Sequence, residues 1–138
     1  MPFTYERTIH FPDTDAAGVV FFARYLSICH EAYEEALGMA GIELQSFFSA
    51  AGVVVPIVRS EADYKRPLAC GDRVRIAVRP ERLADDSFAV RYEMAKLGKV
   101  DKQAAVVRTV HVCIASDTRS RKSLPPALAA WVDGGAQG

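Results

Sequence analysis

The feature that most constrains this chain is one apolar stripe of helical period set among segments that alternate like strands. Between about Val20 and Leu37, Phe22, Tyr25, Leu26, Cys29, Ala32, Tyr33, Ala36 and Leu37 recur at steps of three and four. Arg24, Ser27, Glu31, Glu34 and Glu35 fall on the opposite arc, and Gly38 or Gly41 supplies a stop. Before the helix, residues 3–11 read as a strand ended by Pro12, with Phe3, Tyr5, Ile9 and Phe11 on one face and Arg7 snorkelling. Residues 42–50 read as a short helix or an ordered loop. Four strands follow. The first is 53–65, bulged at Pro56. In 73–79, Val74, Ile76 and Val78 alternate with Arg73, Arg75 and Arg79, a half-buried strand with a basic outer face. Phe88, Val90, Tyr92 and Met94 share a face of 87–97, and Val106, Val110, Val112 and Ile114 are in phase along 103–115. A lone amphipathic helix has one surface to pack on, the apolar face of that sheet. The fold class is therefore α+β, a curved, mostly antiparallel β-sheet wrapped around one long central helix. Uncovered sheet edges predict pairing with a second copy.

The 138 residues make one domain, 1–138, in which 116–138 is a C-terminal tail, disordered over its last five residues. Lys+Arg and Asp+Glu are both 17, so the formal charge is zero, which argues against a strongly basic nucleic-acid binder. No apolar run approaches the ~20 residues of a membrane span, and the N-terminus does not read as a signal peptide. Cys29, Cys70 and Cys113 form no C-x-x-C pair and read as reduced thiols of a cytoplasmic protein. His10, His30 and His111 are too scattered to suggest a metal site, and neither a G-x-S-x-G elbow nor a P-loop is present.

The chemically unusual segment is Asp13-Thr14-Asp15-Ala16-Ala17-Gly18, between the first strand and the helix. Two readings compete for its carboxylates. Asp near a helix start commonly caps it or forms a turn. The same helix end also exposes N–H groups that polarise a carbonyl, and a carboxylate beside them can attack that carbonyl or activate water. Gly18 allows a ligand close to the backbone.

With the residues that follow, Val19-Val20-Phe21-Phe22, Tyr25 and His30-Glu31-Ala32, this segment resembles the hotdog-fold thioesterases of the 4-hydroxybenzoyl-CoA thioesterase family. The likeness continues through Val55-Pro56-Ile57-Val58, Asp63-Tyr64, Gly71-Asp72 and Ser87-Phe88, over roughly residues 3–115. Tyr5-Glu6-Arg7, Cys29 to Glu34 and His111 to Ala115 resemble, more narrowly, the 1,4-dihydroxy-2-naphthoyl-CoA hydrolases of cyanobacterial phylloquinone synthesis.

The resemblance implies hydrolysis of an aromatic acyl-CoA thioester, with coenzyme A as part of the substrate and no metal or other cofactor. Asp15 would be the catalytic carboxylate, as nucleophile or as general base. The Phe22 backbone N–H would meet the thioester carbonyl, with Gly18 shaping the loop and Asp13 ordering it. His30 is either a partly buried helix histidine or the group that reads a ring hydroxyl. Tyr25, Glu31 and Ser87 complete the implied substrate-binding set, Glu31 as the weaker match on a polar arc. The family's basic cluster before Ser87 is replaced by Ala84-Asp85-Asp86, so its phosphate contacts do not carry over, and Arg119, Arg121 and Lys122 are substitute charges. A homodimer or homotetramer is implied, with Val55–Val58 and Asp63–Tyr64 of one chain approaching the Asp15 loop of another. Two alternatives stand beside this reading: a short-chain acyl-CoA, acyl-carrier-protein or benzoyl-CoA thioesterase, and a hotdog module that binds acyl-CoA without cleaving it.

Overall fold

The structure is a computed structural model that describes residues 2–49 and 52–134. Its main sheet has five strands: β1 (Phe3–Thr8), β3 (Ile57–Tyr64), β4 (Arg73–Ala84), β5 (Ser87–Lys96) and β6 (Lys102–Val112), in the order β1-β4-β5-β6-β3 with every pairing antiparallel. β2 (Val53–Val54) and β7 (Ile114–Ala115) form a small second sheet. The central helix α1 (Arg24–Met39) buries Tyr25, Ile28, Cys29, Ala32, Tyr33, Ala36 and Leu37. These pack with Val74, Ile76 and Val78 of β4, Phe88, Val90, Tyr92 and Met94 of β5, and Ala105 and Val107 of β6. Burial of a large apolar side chain contributes roughly 1.5–3 kcal/mol, so this single helix–sheet contact is the main source of stability.

The helix begins four residues later than its apolar period suggests. The Val20 N–H is bound to Leu68 O (2.8 Å) and the Phe21 N–H to Asp13 O (3.0 Å), so the chain there is tied to neighbouring loops. Phe22 consequently precedes the helix and is 62% exposed instead of lying in the stripe. β1 stops at Thr8 because a 3-10 turn, Phe11–Asp13, follows, and Phe11 is exposed. Arg7 does not snorkel; it is held by Asp13 and Glu31.

Other departures have local causes. The expected strand 53–65 is two strands, since Val53 and Val54 pair with β7 whereas Ile57–Tyr64 pair with β6. β4 runs on through Pro80 because its neighbour β1 ends at the Phe3–Val78 pair, and an open edge tolerates a missing N–H. The basic outer face of β4 is neutralised across the sheet: Arg79 meets Glu93 (2.6 Å), and Arg75 meets Glu6 (3.3 Å) and Asp101 (3.1 Å). In β6 the inward set is Ala105, Val107, Thr109 and His111, the opposite phase from the valines the pattern favoured. Two polar side chains in the inward row concealed that phase. The tail carries a third helix, α3 (Pro126–Gly134), beyond the short α2 (Leu44–Ser49). Leu128 and Val132 of α3 are buried, and Asp133 grips Arg82 of β4 (2.8 Å). Of the last five residues, expected to be disordered, Gly134 instead ends α3, and 135–138 lie outside the described residues.

His111 illustrates what the inward polar row costs. Its ring stacks on Phe88 (centroids 4.6 Å apart) and touches Tyr33 (4.9 Å), with Nε2 2.8 Å from Thr109 Oγ1. Burial, helped by the nearby His30, pulls its pKa down from 6.5 to about 4. Between those values the unfolded chain holds a proton that the fold rejects. Stability is therefore full above pH 6.5 and falls toward pH 4, by up to about 3 kcal/mol from this residue. Urea unfolding across that range should show the decline, and His111→Asn should flatten it; an unchanged slope in the variant would refute the assignment.

Candidate active site

The site forms where the β1–α1 loop meets the end of β3. Asp13 is 1% exposed and anchors the loop. Its Oδ2 accepts from Arg7 Nη2 (3.0 Å) and the His10 N–H (2.8 Å), and its Oδ1 from Arg24 Nε (2.9 Å). Burial alone would raise its pKa, but the His10 N–H and the two guanidiniums outweigh it and hold the carboxyl below its ordinary value. Neither Asp13 nor Asp15 caps α1, whose N-cap is Ala23 with no side-chain cap. Asp13 acts instead as an ion-pair hub joining β1, the loop and the first residue of α1.

The next turn presents Asp15. Its N–H bonds Val19 O (2.9 Å), its carbonyl accepts from Gly18 N–H (3.0 Å), and its Oδ1 accepts from Ala17 N–H (2.8 Å). Gly18 has φ +82°, and a Cβ there would meet nothing within 4 Å; conformation, not space, requires glycine. Asp15 is exposed and lines a cleft of about 460 Å³ together with Val19, Phe21, Phe22, Tyr25 and Tyr64. Among the described residues no backbone bond engages the Phe22 N–H, which lies at the entrance to α1. The structure thus brings Asp15, Phe22 and Tyr25 to one cleft, with Gly18 in the turn between them.

Tyr64 is the site residue that strand patterning did not single out. It comes from the same chain: its hydroxyl donates to Phe22 O (3.1 Å), and its ring meets Tyr25 edge-on (5.0 Å). Burial, and then Tyr64, raise the Tyr25 phenol above its ordinary pKa and keep it protonated. The resemblance through Asp63-Tyr64 was the available signal, and it pointed to the Asp15 loop of a second chain; the contact within one chain could not be read without the register.

The remaining predicted residues are elsewhere. His30 lies farther along α1, in a second cleft of about 260 Å³ with Leu26, Ser27, Ile57, Ser60, Tyr92 and Thr109, and its Nδ1 is 2.9 Å from Glu34 Oε2. Glu31 lines neither cleft. It accepts from the Tyr5 hydroxyl and pairs with Arg7 Nε (3.2 Å), which joins it to the Asp13 hub. Burial and the Glu31 carboxylate push the Tyr5 phenol up to about 12. Ser87 is buried at the start of β5, opposite Val112, and also lines neither cleft. The substitute cation Arg121 is engaged by Asp86 (3.2 Å).

Cleaving an acyl bond calls for a donor on the carbonyl oxygen and an acid–base group within reach of the same carbon. Such chemistry is open to a carboxylate that shares a cleft with the entrance of a helix packed on a curled sheet, the arrangement of a hotdog-fold thioester hydrolase. The chain belongs to the thioesterase-like superfamily, whose family model matches residues 9–132. It is 49% identical over 131 residues to a 1,4-dihydroxy-2-naphthoyl-CoA hydrolase of Synechococcus elongatus, covering 94% of each chain. A hydrolase of the same name from Crocosphaera subtropica is 46% identical over 129 residues, again covering 94% of each. The crystal structure of a 1,4-dihydroxy-2-naphthoyl-CoA thioesterase from Synechocystis superposes with a TM-score of 0.91 at 34% identity, covering 96% of both chains.

If Asp13 is the hub, Asp13→Asn should lower stability by about 3 kcal/mol, because it strips the buried charge from two guanidiniums. Denaturant unfolding measures this. The sign with pH follows from the lowered carboxyl: its contribution is complete above the ordinary carboxylate range and disappears as acid protonates the folded state. Wild-type stability in the variant would exclude the role.

Proposed function

We propose that the protein hydrolyses 1,4-dihydroxy-2-naphthoyl-CoA to 1,4-dihydroxy-2-naphthoate and CoA, a step of phylloquinone synthesis. The carrying observation is the shared cleft of Asp15 and Phe22, in a chain 46% and 49% identical to hydrolases named for that substrate. The thioester carbonyl oxygen takes the Phe22 N–H at the positive end of α1, which makes the carbonyl carbon electrophilic. Asp15 then attacks that carbon or takes a proton from the water that does. The Ala17 N–H on Oδ1 orients the carboxylate and leaves Oδ2 for the reaction. Tyr25 and Tyr64 wall the cleft on the side of α1 and β3.

In this reading the acyl ring occupies the second cleft, farther along α1. Leu26 and Ile57 provide apolar walls, and Ser27, His30, Ser60 and Thr109 provide groups for ring hydroxyls. His30 is the reader of a hydroxyl in this arrangement. Neither Glu31 nor Ser87 has a substrate role in it.

Asp15→Asn should fold as the wild type, retain ligand affinity and lose hydrolysis by at least ~100-fold. Run on dihydroxynaphthoyl-, hydroxybenzoyl-, benzoyl- and short aliphatic CoA esters, the wild type should favour the first, and His30→Ala should erode that preference. An undiminished rate in Asp15→Asn would remove Asp15 from the mechanism; preference for aliphatic esters would favour the short-chain reading.

Self-association into a homodimer or homotetramer belongs to the same proposal. β3 is an edge strand on which Ile57 and Val58 are 43% and 58% exposed, beside the second cleft. Such an edge is stabilised by pairing with another strand. Light scattering at assay concentration should find no active monomer.

A further inference from the structure

The cations of this protein are distributed unevenly between two states. Arg7, Arg24, Arg59, Arg73, Arg75, Arg79, Arg82, Arg91, Arg108, Arg121 and Lys96 each lie within 4.0 Å of a carboxylate. Among the described residues Lys65, Arg66, Lys99 and Lys102 have no such partner, nor do Arg119 and Lys122 near the tail. Three of the first four converge on one cleft, and Lys65 lines the cleft next to it. A cleft of about 440 Å³ is lined by Arg66, Pro67, Lys96, Lys99 and Lys102 with the β5–β6 turn, and Arg66 and Pro67 also line the Asp15 cleft, as does Lys65.

Register produces this convergence. Tyr64 pairs with Ala105, and the Lys65 and Arg66 N–H groups both bond Ala104 O (2.8 and 3.1 Å). Arg66 Nη1 donates to Gln103 O (2.8 Å), which leaves its charge uncompensated. Lys96 and Lys102 are direct cross-strand partners. Like charges in that position destabilise a sheet. Asp72 reaches Lys96 (3.5 Å) and offsets one of the two charges, while Asp101 is committed to Arg75 (3.1 Å), so Lys102 has no carboxylate. A surface that pairs most of its arginines with carboxylates but leaves Arg66, Lys99 and Lys102 unpaired around one cleft is arranged for a mobile polyanion.

We infer that the cleft between the β3–β4 turn and the β5–β6 turn binds the phosphate groups of the CoA moiety. The inference rests on the reading of the substrate as a CoA thioester and locates a contact that the Ala84-Asp85-Asp86 segment cannot supply. The thioester end lies at Asp15, the pantetheine arm passes Arg66 and Pro67, and the nucleotide phosphates meet Lys96, Lys99 and Lys102. Lysine suits a flexible, exposed phosphate as a point charge.

The test uses the Lys99→Ala/Lys102→Ala double variant, with Arg119→Ala/Lys122→Ala as a charge-matched comparison. Calorimetry with CoA alone reads the cleft without reference to the acyl group. Loss of two phosphate contacts should weaken CoA binding by at least about 10-fold, with a matching rise in KM for the CoA thioester and kcat within about 2-fold. The corresponding pantetheine thioester, which lacks the phosphates, should distinguish the double variant from wild type little or not at all. Added salt should weaken CoA binding more steeply in wild type than in the variant. Unchanged CoA affinity overturns the inference. So do equal losses on CoA and pantetheine thioesters, a loss that appears in the tail variant instead, or a loss confined to an acyl-carrier-protein thioester. Failure of the naphthoyl reading is distinguishable: wild type would then bind CoA in a lysine-dependent way yet leave the naphthoyl ester intact.

Discussion

The Asp13 carboxylate is the interaction on which the working arrangement depends. It takes Arg7 from β1, the His10 N–H from the intervening turn and Arg24 from the first residue of α1. A single buried anion thereby fixes the angle at which the chain leaves the sheet and enters the helix. Its cost in desolvation is offset by two guanidiniums and a backbone donor. Arg7 carries the restraint one step further to Glu31 and Tyr5, so the helix is held against β1 over two turns. With that frame set, the short turn from Asp15 to Val19 closes on its own hydrogen bonds and sets Asp15 in the cleft before the helix.

The two aspartates divide the labour by environment. Asp13 is enclosed, charged and saturated with donors, which is the state of a structural ion. Asp15 is exposed and keeps one oxygen clear of the fold, which is the state of a group that meets a ligand. The Asp15 cleft adjoins the cleft of the β5–β6 turn, with which it shares Arg66 and Pro67, while a separate cleft lies farther along α1 at His30. The first is walled by Phe21, Phe22, Tyr25 and Tyr64, and its neighbour is rimmed by Arg66, Lys96, Lys99 and Lys102.

Much of this was legible in residue order. The stripe from Tyr25 to Leu37 identified the helix, and alternation identified β4 and β5, because in each case one face is wholly apolar. β6 was misread for the converse reason: Thr109 and His111 point inward and are satisfied by each other, a compensation that no local pattern reveals. α3 was taken for tail because its two buried residues, Leu128 and Val132, gain their value only from β4 beneath them. At the site, Asp15, Gly18, Phe22 and Tyr25 are near in sequence and were found together. Glu31 matched by motif position, yet the Tyr5 hydroxyl and Arg7 occupy it.

Residue order sufficed for the class of the fold, which follows from short-range periodicity, whereas the choice of Asp15 over Asp13 came from the likeness of their contiguous loop to a known family. Only the tertiary structure decided which charges are spent on the protein and which remain for a ligand. That distinction depends on strand register, which sets Lys96 opposite Lys102 and draws the end of β3 to the β5–β6 turn. Charge pairing is a matter of a few ångströms between residues distant in the chain, and spacing along the chain carries no information about it.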